Sequence, residues 1–290
     1  MVVEVKALAC ELPYHHGIPL SRFSIEEIHR EVIARGIAAH ISGATLWRWL
    51  NADAIRPWLY RSWIFPRDPA FEEKAARILD LYEGFWNGLP LGPNDYVLSA
   101  DEKTSIQARI RKHQTRGPLL QRVTKVEHEY QRGGAFTYIA AWDVRRAKIF
   151  GHIEKKSGIN AFSNLVDQVM SQEPYRTASR VFWIVDNGSS HRGEPAIKRL
   201  RKAWPNALMI HLPVHASWLN QIEIYFSVIQ RKVLTPNDSL SLADIKDRLL
   251  KFQKHYECVA TPFEWKFTRK DLANLMHKLS NPLMLMKKAA

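Results

Sequence analysis

An unbroken apolar run at 181–185, inside "RVFWIVDNGSSHRG" (180–193), limits the fold more than any other feature of this chain. A stretch so short and apolar on both faces suits a strand buried in the middle of an α/β sheet. It stops on Asp186, which is followed by Asn187, Gly188, two serines and His191. Asp, Asn, Gly and Ser are the residues with which a chain leaves a strand, so a plain turn explains them. The carboxyl end of a buried strand is also where α/β sheets build their sites. The rest of the chain has to separate these two readings.

From Asp95 onward the pattern alternates. "YVLSAD" (96–101) reads as a strand ending on Asp101, and "AFTYIAAWDV" with "AKIFGHIE" as a hairpin turning near 145–146. "GINAFSNLVDQVMS" reads as a helix, followed by the 181–186 strand and a basic helix to about residue 203. "ALMIHL" is a further strand and "SWLNQIEIYFSVIQRKV" a further helix. Such an order specifies an α/β mixed sheet with helices on its faces. Earlier in the chain, Ser24 and Glu27 form a capping box ahead of an apolar stripe, Gly36 ends that helix, and Ser42 with Gly43 opens another. Two short helices around such a turn suit a helix-turn-helix, although any helical hairpin looks similar. Residues 51–69, with Pro57, Pro66 and Pro69, read as a stiff connector, and an amphipathic helix follows from about 70 to 86. The expected division is 1–56 for the helix-turn-helix-like region, 57–94 for the linker and helix, and 95–290 for the sheet domain. The main boundary falls at the Gly- and Pro-rich stretch 88–93.

Charge is unevenly shared. Residues 1–98 hold 10 Lys and Arg against 12 Asp and Glu, net −2, whereas residues 99–290 hold 32 against 17, net +15. The densest run, Lys103, Arg109, Arg111, Lys112, Arg116, Arg122 and Lys125, has no acid among it, and Lys198, Arg199, Arg201 and Lys202 form a second cluster. That imbalance favours a polyanion, usually nucleic acid, over a merely soluble basic surface. Cys10 and Cys258 are the only cysteines, too few for a disulfide framework or a cysteine zinc site, which points to a reducing cytosol. No apolar run approaches the roughly 18 residues a bilayer requires, so no membrane partner is expected. The N-terminus lacks the layout of a secretory signal.

If the strands ending on Asp101 and Asp186 are parallel neighbours, their carboxylates emerge side by side. In the helix after Pro213, the spacing of Leu219, Glu223 and Phe226 puts a third carboxylate into an apolar stripe, where it needs a cation or an opening. Three converging carboxylates repel one another unless a metal neutralises them, and hard oxygen ligands suit Mg²⁺. Beside a basic surface, this is an arrangement for two-metal phosphodiester chemistry.

"SADEKTSIQA", "IVDNGSSH" and "HASWLNQIEIYFS" resemble the three acidic blocks of the bacterial insertion-sequence branch of the mariner-like DDE transposases. Thirty-six residues separate Asp186 from Glu223, and the likeness runs from about Lys6 to Leu279. It implies a ribonuclease-H-like core, preceded by a small all-α region, with Asp101, Asp186 and Glu223 as both catalytic residues and metal ligands. It further implies Mg²⁺, with Mn²⁺ able to substitute and two ions present once DNA is bound. The partners it implies are transposon ends and target DNA, held by a homodimer, in the cytoplasm and on the nucleoid. Asn187, His191, Ser217, Asn220 and Gln221 match the surrounding blocks as supporting residues. His191 can serve DNA, a metal-bound water or a structural hydrogen bond. Members of the family start with two helix-turn-helix units, and "VKALACELP" resembles the segment after the first. The resemblance therefore implies an N-terminally truncated transposase. A repressor that binds DNA without cutting it, and a host nuclease of the same fold, are the rival expectations.

Overall fold

The computed structural model describes residues 1–60 and 66–280. The centre of the expected connector, 61–65, and the end of the expected sheet domain, 281–290, lie outside the described residues. The chain divides into two compact units, Met1–Ile64 and Phe65–Ala290.

Among its described residues the first unit holds helices alone: α1 (Val2–Ala9), a 3₁₀ turn (Pro13–His16), α2 (Ile25–Ala34) and α3 (Gly43–Ala52). Ser24 and Glu27 close the anticipated capping box at the start of α2, each side chain bonding the other's backbone N–H. Gly36, at φ 68°, takes the left-handed conformation that ends this helix. Ser42 then caps α3 by accepting the Thr45 N–H. Val5, Leu8, Phe23, Ile28, Val32, Leu46 and Leu50 fill a core shared by the three helices.

The second unit opens with α4 (Phe71–Glu83), then a two-stranded ribbon, β1 (Phe85–Trp86) and β2 (Leu89–Pro90). The main sheet follows as β3 (Asp95–Ile110), β4 (Gln131–Asp143), β5 (Lys148–Glu154), β6 (Arg180–Val185) and β7 (Ala207–His211). The further helices among the described residues of this unit are α5 (Ile159–Met170), α6 (Gly193–Ala203), α7 (Ile222–Lys232), α8 (Leu242–Glu257) and α9 (Arg269–Ser280). Spatial strand order is β5-β4-β3-β6-β7, antiparallel among the first three and parallel from β3 to β7. With helices on both faces this is a ribonuclease-H-like sheet, preceded by an all-helical region. Val97, Phe182, Ile184 and Trp142 pack with α4, α7 and α8 on one face. Leu98, Ala100 and Trp183 pack with α5 on the other, so Trp183 is a core residue. No helix among the described residues is long and apolar enough to cross a membrane.

Three expectations change. The division falls ahead of α4 and not at 88–93, because Phe71, Ala75, Ile78 and Leu79 bury their side chains in the core of the larger unit. Asp101 does not end its strand. β3 runs 16 residues, and β4 pairs with it antiparallel as far as Ile110, which carries the ladder past the acid. The helix expected from Ser217 is broken into a 3₁₀ turn (Ser217–Leu219) and α7, with Asn220 extended between them at φ −86°, ψ 113°. Leu219 is therefore buried but off the helix that carries Glu223.

Candidate functional site

Register brings the first two acids together. Parallel pairing of β3 with β6 ends at Ser99↔Ile184, so Asp101 and Asp186 each lie two residues beyond the last pair and at one level. Adjacent strands run ~4.8 Å apart, and side chains two residues on point to the same face. That face is the one α7 covers. There Ser99 Oγ accepts the Ile222 N–H at 2.8 Å, which sets the first turn of α7, and Glu223 within it, beside the sheet.

The start of α7 is fastened by a closed set of hydrogen bonds. Ser99 Oγ donates to Asn220 Oδ1, and Asn220 Nδ2 donates to the Ala100 carbonyl at 3.0 Å. Tyr82 of α4 donates to the Leu219 carbonyl at 2.7 Å and accepts the Gln221 N–H at 3.3 Å. The Ser99 hydroxyl, both ends of the Asn220 amide and the Tyr82 hydroxyl are all paired, and such mutual pairing fixes a buried network in one geometry. Ser99→Ala removes one hydroxyl from two bonds and leaves Asn220 Oδ1 and the Ile222 N–H unpaired. It is expected to lower unfolding free energy by about 1–3 kcal/mol, measured by urea denaturation. A change below about 0.3 kcal/mol would mean the clip holds nothing.

The turn considered for Asp186 is present. Its Oδ1 accepts the Gly188 N–H at 2.7 Å, an Asx turn, and also His191 Nε2 at 3.0 Å, while Oδ2 has no partner among the described residues. Asp101 Oδ1 accepts the Glu102 N–H at 2.7 Å, again leaving Oδ2 without one. Glu223, exposed as a residue, has no hydrogen-bond or ion-pair partner among the described residues. Each acid thus presents at least one oxygen that no donor among the described residues takes.

Their electrostatics reflect the crowding. Burial, with Asp186, Glu223 and Glu102 adding repulsion, pushes the Asp101 carboxyl up to about 7. Glu223 is raised by the partial enclosure of its carboxyl and by Asp186, against the pull of Lys103. Lys103 is lowered by its own burial, which Glu223 partly offsets. An all-oxygen, self-repelling donor set with open oxygens fits a hard divalent cation. Among the described residues no group of three or more His, Cys, Asp and Glu is gathered as a ready metal cluster.

The opposite face holds a second set of residues, largely unread in the sequence. Glu102 points there, its Oε1 accepting from Ser190 Oγ at 3.2 Å, and burial raises its carboxyl. His191 is fully buried against Phe162 and pushed down to about 4, chiefly by desolvation. It is neutral at physiological pH, so Nε2–H donates to Asp186, the tautomer this hydrogen-bond network assigns. Arg199 and His211 hold the same loop through the Ser190 and His191 carbonyls, at 3.0 and 2.6 Å. Asn187 Nδ2 donates to the Leu212 carbonyl at 2.7 Å, tying the loop to the end of β7. Of the other supporting residues, Ser217 contributes only its carbonyl, to the Asn220 N–H. The Gln221 side chain is buried with its Oε1 unpaired.

The cations form a separate tract leading away from the acids. Lys103, Arg109 and Arg111 line a cleft of about 470 Å³ together with Gln230, Thr235 and Asn237. Arg111 is folded back, its Nε donating to the Glu127 carbonyl, and both arginines lie over the Tyr130 ring. Lys112, Arg116, Arg122 and Lys125 are exposed and have no carboxylate partner among the described residues.

Residues 97–246, just over half of the chain, match the DDE superfamily endonuclease family. No curated protein matches the chain. Among solved structures it is similar to the Mos1 transposase paired-end complex with left transposon end, at 10% identity and a TM-score of 0.52. That match covers 97% of this chain and 77% of the other. It is also similar to the Mos1 strand transfer complex, at 11% identity and a TM-score of 0.50, covering 97% of this chain and 75% of that one. At these identities the likeness is one of fold.

Proposed function

We propose, since the chain belongs to the DDE endonuclease superfamily, that it is a transposase of the mariner-like, insertion-sequence branch, cutting DNA strands and joining their ends to a target. The observation that carries this reading is the level placement of Asp101 and Asp186 beside Glu223, each with an oxygen that no group among the described residues takes. Mg²⁺, or Mn²⁺, held by these three would activate the attacking oxygen and stabilise the leaving one in an in-line displacement at phosphorus. The chain's own part is positioning. Gly188 and His191 hold one Asp186 oxygen so that the other faces out, and Ser99 with Asn220 holds Glu223 opposite. Lys103 sits by Glu223 and moderates the negative charge.

The cutting and joining are assigned to 95–290 together with α4, which shares the core of that unit, and a share in reading DNA to 1–56. The similar Mos1 structures are a paired-end and a strand transfer complex, and a pair of chains on two DNA ends is proposed here also. The work would be done in the cytoplasm, on the nucleoid. The test is metal-dependent joining of a labelled DNA 3′-hydroxyl end to a second duplex. No joined product, with intact folding and DNA binding, would sink the reading. Binding itself is expected to fall steeply with salt and to differ little between end and scrambled duplexes, since phosphate contacts carry affinity without sequence. Lys112, Arg116 and Lys125 changed together to alanine should flatten the slope of log affinity against log salt by up to about 0.9 for each phosphate no longer neutralised. A competition titration in which an end sequence wins by a thousandfold or more would contradict this account.

A further inference from the structure

Past Ala108, the last buried residue of β3, the β3–β4 hairpin runs out into an arm in which every residue from 118 to 125 is exposed. Isolated ladder pairs Arg116↔Lys125 and Leu119↔Arg122 hold its outer part. Leu119 and Arg122 exchange backbone bonds of 3.1 and 2.9 Å around a two-residue turn. Neither turn residue suits its place. Gln121 takes φ 58°, a conformation glycine or asparagine adopts more readily, and Leu120 stands at the corner 92% exposed. Leu119 and Val123, 70% and 79% exposed, flank it. Three large aliphatic side chains therefore stand in water, and they contribute nothing to the core.

The surroundings say what they meet. Arg116, Arg122 and Lys125 bracket the tip, exposed and without carboxylate partners among the described residues. An apolar point ringed by cations is complementary to a body that is anionic outside and apolar within, and duplex DNA is that body: phosphates outside, stacked bases inside. Proteins that bend DNA seat aliphatic side chains between base pairs in this way, kinking the duplex by roughly 20–90°. The root of the arm is anchored: Asn237, in the loop between α7 and α8, donates to the Gln107 carbonyl at 2.6 Å and accepts the Arg109 N–H at 3.2 Å. We infer that Leu119, Leu120 and Val123 form a wedge that enters a base step of the duplex the arm's cations grip, and bends it. The inference rests on the DNA reading given above.

The experiment uses the full chain and a duplex carrying dyes at its two ends and 2-aminopurine at successive steps. Binding should bring the ends together by a bend of roughly 20–90° and raise 2-aminopurine fluorescence at one step. Leu119→Ser, Leu120→Ser and Val123→Ser combined should lose both signals while keeping the melting temperature and the salt slope of binding. Wild-type binding without a bend, or a variant that bends as well as wild type, overturns the wedge and leaves the DNA reading standing. A variant altered only in self-association on sedimentation also overturns it, because the tip then packs on a second copy. No salt-dependent binding by the wild type would overturn both.

Discussion

Asp186→Asn is expected to reduce Mg²⁺-dependent strand cleavage at least about a thousandfold, with folding and DNA binding close to wild type. The asparagine carbonyl can still accept the Gly188 N–H and His191 Nε2–H that Oδ1 accepts now, so the turn after β6 survives. The free oxygen does not. In its place stands an NH₂ group, a donor without the lone pair or charge a hard cation requires. Nicking of supercoiled plasmid, with and without EDTA, reads the activity, and a thermal melt confirms that the fold is kept. Cleavage within tenfold of wild type would remove Asp186 from the site.

Asp101→Asn should make the metal-free protein more stable at pH 8, by up to about 4 kcal/mol, and change it much less at pH 4.5. The Asp101 carboxyl ordinarily titrates near 3.8, and burial beside other acids pushes it up to about 7. Between those values the folded state binds a proton that the unfolded state has already lost. Wild-type stability therefore declines as pH rises from about 4 to about 7, and the whole cost is present above that. Asparagine is similar in size, keeps an acceptor for the Glu102 N–H and carries no charge to repel Asp186 and Glu223. Mg²⁺ should reverse the order at pH 8, because an ion bound by the folded state alone stabilises it and the variant has one ligand fewer. Urea denaturation at both pH values, with EDTA and with Mg²⁺, checks all four corners. A variant less stable than wild type in EDTA at pH 8 would show that the acids do not strain one another.

The sheet was legible in the sequence, and the three acids proposed as the site stood out because each lay against a strong local pattern: Asp186 after five apolar residues, Asp101 after "YVLSA", Glu223 inside an amphipathic run. The chemistry that holds them was less so. Ser99 could have been noticed, since a serine inside an apolar strand must find a partner. Tyr82 could not. In sequence it belongs to an apolar helical stripe, and its hydroxyl acquires a role only when Leu219, 137 positions away, folds against it. The break at Asn220 was hidden for the same reason, because helical spacing continues through Leu219, Glu223 and Phe226 while a bond to Ala100 pulls the backbone out. The length of β3 beyond Asp101 escaped because "EKTSIQARI" lacks the apolar signature of a buried strand. There its partner β4 sets the conformation, not the strand's own composition. The cations of 103–125 were visible as charge, but that Arg111 folds back while Arg116 and Lys125 face solvent depends on the hairpin they sit in.

The strand order also carries a schedule. As the chain leaves the ribosome, β3 and β4 with their cationic arm are complete first, and Asp101 is already in place. Its parallel neighbour arrives late: Arg180, beside Asp95 in the sheet, lies 85 positions downstream. Pairings across such distances form slowly. Glu223 is made last, 37 positions after Asp186, and settles only when Asn220 can reach the finished strand. If these three acids cut DNA and the cations of the arm bind it, the nascent chain acquires its grip well before its blade.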